Sequence, residues 1–191
     1  GYFMFPVRPG ERNYLSGSMG ELRSNHFHGG IDVKTSGKTG LPIYAAAEGY
    51  ISRISLNASG YGKRIAITHP NGYVTHYAHL EKFNEEIERF VLNEQYRQKK
   101  YEMNIFPDEG LLKVEKGEIF AYSGNTGSSA GPHLHFEIRD TKDNVYNPLD
   151  FGFEEIYDKQ APRIYKIALN PLDVLSTVDG KYEKKYFRLG Y

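Results

Sequence analysis

Short runs rich in Val, Ile, Tyr, Phe and Thr, each closed within a few residues by Gly, Pro, Asn or Asp, recur through most of this 191-residue chain. Such runs read as strands, and their close punctuation predicts a mainly β fold built on an antiparallel sheet. A strand starts at Tyr50. Lys63 to His69 and Tyr73 to His79, separated by Pro70-Asn71-Gly72, read as the two arms of a hairpin. After Leu80 the period changes. Phe83, Ile87, Phe90 and Val91 lie among Glu, Arg, Lys and Gln, which predicts one amphipathic helix between Glu81 and Lys100 with a solvated charged face. Strand-like text resumes from Lys113 to Gly124. A Gly- and Ser-rich loop, Asn125 to Gly131, expected to be flexible, then leads through Pro132 into the alternating run His133 to Arg139.

Asn147-Pro148-Leu149-Asp150 closes this text, and Gln160-Ala161-Pro162 reads as a boundary. The division expected is a first domain over residues 1–152, with a helical insertion over about 81–112, and a short C-terminal β extension over 153–191. That extension carries strand-like Ile164 to Leu169 and aromatic Tyr186-Phe187. It is too short to bury a core alone and reads as the start of a further β domain.

Composition narrows the chemistry. The 24 basic and 24 acidic side chains cancel, so there is no overall field to attract nucleic acid or an anionic membrane. Without cysteine there are no thiol nucleophiles, disulfides or thiolate metal sites, and any metal would be held by imidazole and carboxylate. No apolar run approaches the ~20 residues of a membrane span. The first residue is Gly1 and no leader pattern follows it, so the start reads as a processed or engineered end.

Two of the seven histidines stand out. His133 and His135 are two apart on a predicted strand, so both rings leave one face of the sheet. Neighbouring imidazoles are a poor core solution, because each needs hydrogen-bond partners and two charged rings repel. The pair therefore points to a metal or to catalysis. In His28-Gly29-Gly30-Ile31-Asp32, paired glycines let the backbone turn so that an imidazole and a carboxylate converge. Joined to the pair, this segment completes a His, Asp and His set, which suits tetrahedral zinc with an open fourth position. His79 ends its strand on the face expected for Tyr77 and Thr75, with His76 pointing the other way. His26, His69 and His76 read as surface or packing residues.

His28-Gly29-Gly30-Ile31-Asp32, Tyr77-Ala78-His79-Leu80 and Gly131-Pro132-His133-Leu134-His135-Phe136-Glu137, taken in order, closely resemble the M23 peptidases, the lysostaphin- and LytM-like zinc endopeptidases of bacterial cell walls. The resemblance spans about Phe5 to Gly152. It implies an antiparallel β-sheet peptidase domain with a substrate groove, in which His28, Asp32 and His135 bind zinc and His79 and His133 are catalytic. It further implies hydrolysis, through a metal-activated water, of a peptidoglycan cross-link or bridge peptide, with the cross-link favoured by analogy with longer members. An exported, periplasmic or envelope-associated protein is expected on the same ground. The stretch Glu81 to Leu112 is longer than in compact members and is expected to line one wall of the groove.

Two rivals compete. Gly127-Ser128-Ser129-Ala130-Gly131 matches a nucleophile-elbow pattern, but Pro132 and a strand follow where a helix is needed, and no acid lies between Ser129 and His135. The other is a non-catalytic LytM-like binding or regulatory module. Such a module should lack ligands, and this chain keeps them; a biotinyl or lipoyl carrier would need a hairpin-tip lysine that is not found.

Overall fold

The computed structural model describes residues 1–23, 26–156, 164–173 and 175–189. The chain forms two compact units, Gly1–Tyr157 and Asp158–Tyr191. The elements of the first are β1 (Leu15–Gly17), β2 (Ile31–Lys34), β3 (Pro42–Tyr44), β4 (Gly49–Leu56), β5 (Lys63–Thr68), β6 (Tyr73–Phe83), α1 (Glu85–Gln98), β7 (Met103–Ile105), β8 (Lys113–Val114), β9 (Ile119–Ser123), β10 (His133–Asp140) and β11 (Val145–Tyr146), then a 3-10 turn over Pro148–Phe151. All strand pairs are antiparallel, and the path across the sheet runs β1-β2-β10-β6-β5-β4-β7. The second unit contributes a two-stranded antiparallel ribbon of β12 (Lys166–Leu169) and β13 (Lys185–Arg188). The fold is therefore mainly β with one α-helix among the described residues, as the turn-punctuated text predicts. The expected boundary at Gln160-Ala161-Pro162 lies outside the described residues.

Alternation along β10 decides where the core sits. Leu134, Phe136 and Ile138 are fully buried, and Phe136 meets Tyr77, which in turn packs edge-on against Phe120. The residues that alternate with them, His133, His135 and Glu137, leave the opposite face. In the antiparallel register His135 lies opposite Asp32 on one side and Ala78 on the other, so the two central strand pairs bring the motifs together. Gly30 permits the approach of β2: a Cβ there would lie 2.2 Å from the Phe136 carbonyl oxygen. Neither Gly29 nor Gly30 adopts positive φ, so their role is clearance rather than the tight turn expected.

The helix starts later than its periodicity suggests. Strand β6 continues to Phe83 because Leu80, Lys82 and Phe83 pair with β9, and Asn84 then caps α1 by accepting the Ile87 N–H at 3.0 Å. Such a cap contributes about 1 kcal/mol. Ile87 and Val91 are the buried helix residues and join the core, while Tyr96 stays exposed.

Candidate metal centre

Three side chains that could hold a metal ion converge on the face opposite the core: His28 and Asp32 flanking Gly29-Gly30, and His135 from β10. His28 Nε2 lies 3.0 Å from Asp32 Oδ1 and 2.9 Å from His135 Nδ1, and His135 Nδ1 is 2.9 Å from the same Oδ1. The hydrogen-bond network assigns the tautomers. His28 Nδ1–H donates to the Ser18 carbonyl at 2.8 Å, and His135 Nε2–H to Glu137 at 2.7 Å. With those protons on the outer nitrogens, loss of the inner ones leaves two ring lone pairs and a carboxylate oxygen facing one another. Three acceptors around one point need a cation, and a His, Asp and His group of this kind fits a metal site. The separations are a few tenths of an ångström below the ~3.3 Å edge of a tetrahedron with bonds of about 2.0–2.1 Å, so modest opening suffices.

Asp32 is buried. Burial acts to raise its carboxyl, but interactions with His133, His135 and His28 outweigh it and hold the group well below the usual carboxylate range. It is therefore a permanent anion. His133 reaches the same oxygen, its Nε2 3.5 Å from Asp32 Oδ1. The His79 ring lies beside it, 4.7 Å between centroids, and 5.9 Å from that of His135. All five predicted site residues are thus brought together on one face.

The route by which His79 gets there differs from strict alternation. Thr75 and Tyr77 point into the core and His76 lies on the other face opposite Glu137, as expected, but His79 leaves the face of Tyr77 and joins the site face. The cause is local. His79 has φ 60°, in the left-handed region, where the β5–β6 register slips. That irregularity turns the ring onto the face of His133 and His135.

The loop from Asn125 to Gly131 is pinned rather than flexible. Thr126 Oγ1 donates to the Leu80 carbonyl at 2.8 Å and accepts the Lys63 N–H at 3.0 Å, while Ser128 and Gly60 exchange two bonds. It fixes both outer histidines. His79 Nδ1–H donates to the Thr126 carbonyl at 2.8 Å and His133 Nδ1–H to that of Gly131 at 2.8 Å. Each ring is left with Nε2 as its open position. Burial pushes His79 down to about 4, so it is neutral at physiological pH.

Glu137 follows His135 by two residues on the same strand. It is fully buried, accepts from His135, Tyr61 and Arg139, and is held down to about 2: burial opposes the anion, while His135 and Arg139 more than restore it. Its signal was available, since a carboxylate two residues after His135 shares that face. A carboxylate behind a ligating imidazole fixes the ring and raises its basicity. Glu137→Gln should weaken metal retention by about 10–100-fold, read by competition with a chromogenic chelator; unchanged affinity would contradict this role.

His76 and His69 are buried packing residues. His69 spans the Glu48 carbonyl and Thr75 Oγ1, whereas His76 Nδ1 has no hydrogen-bond partner and burial pushes the ring down to about 4. A depressed histidine contributes stability that is complete above its ordinary value near 6.5 and is lost as pH falls toward 4, because the unfolded chain takes the proton first. His76 and His79 should each remove on the order of 2–3 kcal/mol across that window. In His76→Leu the fall of Tm between pH 6.5 and 4 should be smaller than in the unsubstituted protein; an unchanged fall would refute it.

An antiparallel β domain with a His, Asp and His donor group on one face fits a metal site, and comparison with known proteins gives its family. The sequence profile of peptidase family M23 matches residues 26–96 and 110–148, and the chain belongs to that family. An uncharacterized metalloprotease of Haemophilus influenzae is 31% identical over 148 residues, 75% of this chain and 24% of the relative. The peptidoglycan DD-endopeptidase ShyA of Vibrio cholerae is 31% identical over 111 residues, 58% of this chain and 20% of the relative. The chain thus spans about a quarter or less of the length of these curated relatives. The catalytic domain of lysostaphin from Staphylococcus simulans has the same fold, with a TM-score of 0.54 at 23% identity over 73% of this chain and 91% of that one.

Proposed function

We propose that this chain carries the peptidase domain of a zinc-dependent endopeptidase that hydrolyses peptide cross-links of bacterial peptidoglycan. The observation that carries the reading is the convergence of His28 Nε2, Asp32 Oδ1 and His135 Nδ1, with the ring protons directed away to Ser18 and Glu137. Two imidazoles and one carboxylate are a donor set for zinc that leaves a position open. Zinc held there supplies a Lewis acid that acidifies water and polarises a carbonyl. His28, Asp32 and His135 hold the ion, and one anionic ligand leaves it a net positive charge.

His79 and His133 manage protons. Amide hydrolysis must take a proton from water and give one to the departing amine, and two imidazoles presenting Nε2 beside Asp32 suit both tasks. His79, neutral above about pH 4, is in the form that accepts a proton.

The substrate class follows the peptidoglycan endopeptidase among the relatives, and a chain without net charge suits a neutral peptide backbone. A cell-wall substrate supports a location in the periplasm or envelope; no described helix is long and apolar enough to cross a membrane. The peptidase domain, expected over residues 1–152, is assigned to the first compact unit, Gly1–Tyr157, because Phe153 packs on Phe5 and Phe136; 81–112 is its helical insertion, and the remainder of the 153–191 extension is read as the beginning of a further β domain. Metal analysis after zinc loading and desalting tests the reading. Close to one zinc per chain is expected, and near-absence of zinc would sink it.

A further inference from the structure

The outer nitrogen of each imidazole in the cluster is held, and so is the outer atom of the carboxylate. Arg23 Nη2 donates to Asp32 Oδ2 at 2.9 Å, on the side away from the two imidazoles. Arg23 comes from a hairpin in which His28 N–H donates to the Glu21 carbonyl, Arg23 N–H to that of His26, and Leu22 pairs with Phe27. Alternation along it turns Arg23 and His28 toward Asp32, while Leu22 and Phe27 face solvent, 78% and 70% exposed. Glu21 steadies the guanidinium at 3.3 Å. A second observation concerns Gly17, which lies opposite Asp32 in the β1–β2 register. A Cβ at Gly17 would fall 2.4 Å from Asp32 Oδ2 and 2.6 Å from Arg23 Nη2, so the ion pair fills the space a side chain would need.

We propose that Arg23 is a positioning residue that restricts Asp32 to donation through Oδ1 alone. The inference rests on the zinc-peptidase reading above. A carboxylate with both oxygens free can ligate through both, which raises the coordination number and closes the position that water and the substrate carbonyl require. Holding Oδ2 on a guanidinium prevents this. The same positive charge draws electron density from Oδ1, leaving a bound ion more electrophilic.

The test loads the protein and its Arg23→Met and Arg23→Lys variants with cobalt(II), whose visible absorption reports coordination number, and measures kcat and KM of the zinc forms on one peptidoglycan peptide. Arg23→Met should still bind one cobalt per chain. Its absorption band should weaken as coordination rises, and its kcat should fall about 10–100-fold with KM little changed, the size typical of outer-shell changes. Arg23→Lys, which keeps the charge, should recover part of both. An unchanged spectrum together with a wild-type kcat in Arg23→Met, or a loss confined to KM, would overturn the role of Arg23 alone. A wild-type protein that takes up neither metal would overturn the zinc reading and this inference with it. Should Arg23→Met fail to fold, Arg23→Gln, which keeps a neutral donor, decides by the same two readings.

Discussion

His135→Ala is expected to leave a folded chain that retains no zinc and has lost peptide hydrolysis by on the order of 10⁴-fold or more. The residue is central in three ways. Its Nδ1 is 2.9 Å from both other donor atoms, its Nε2 anchors to Glu137, and it sits on β10 between β2, which carries Asp32, and β6, which carries His79. Removing the ring takes away one of three donors and leaves Glu137 buried beside Arg139 without its imidazole partner. Some stability is lost as well, since a buried acceptor has lost its donor, at a cost of about 1–3 kcal/mol. Near-stoichiometric zinc after loading of His135→Ala would show that the ligand assignment is wrong.

His133→Ala and His79→Ala should behave in the opposite way toward metal. Both rings project Nε2 next to the cluster but donate Nδ1–H to loop carbonyls, and neither belongs to the three-donor group. Each variant should therefore retain zinc while kcat falls about 10²–10⁴-fold, the usual contribution of a positioned proton-transfer group. Metal content and turnover measured on the same preparations separate the classes. If His133→Ala loses zinc and His135→Ala keeps it, the roles of the two strand histidines are exchanged.

The parts of this centre that obey simple periodicity were legible in the sequence. His133 and His135 leave one face because β10 is a regular strand, and the turn at Pro70-Asn71-Gly72 set the β5–β6 hairpin. What escaped depends on tertiary pairing. The positive φ of His79 and the register slip beside it move that one ring off the face of Tyr77, and nothing in Tyr77-Ala78-His79 announces them. Helix α1 begins at Glu85 because β9 claims Lys82 and Phe83 as strand partners, a contact between segments about forty residues apart. The Gly- and Ser-rich loop reads as mobile by composition, yet its hydroxyls and carbonyls hold both outer histidines in place. Arg23 shows its relation to Asp32 only once Glu21–Arg23 pairs with His26–His28.

The central claim, a metal-dependent cut in a peptidoglycan peptide, is tested most directly by mass spectrometry of purified cross-linked fragments incubated with the zinc-loaded protein. The expected result is hydrolysis at one defined bond, one water added per cut, abolished by a chelator and restored by zinc. Fragments left intact by fully loaded protein, or cleaved equally well in the chelator, would contradict it.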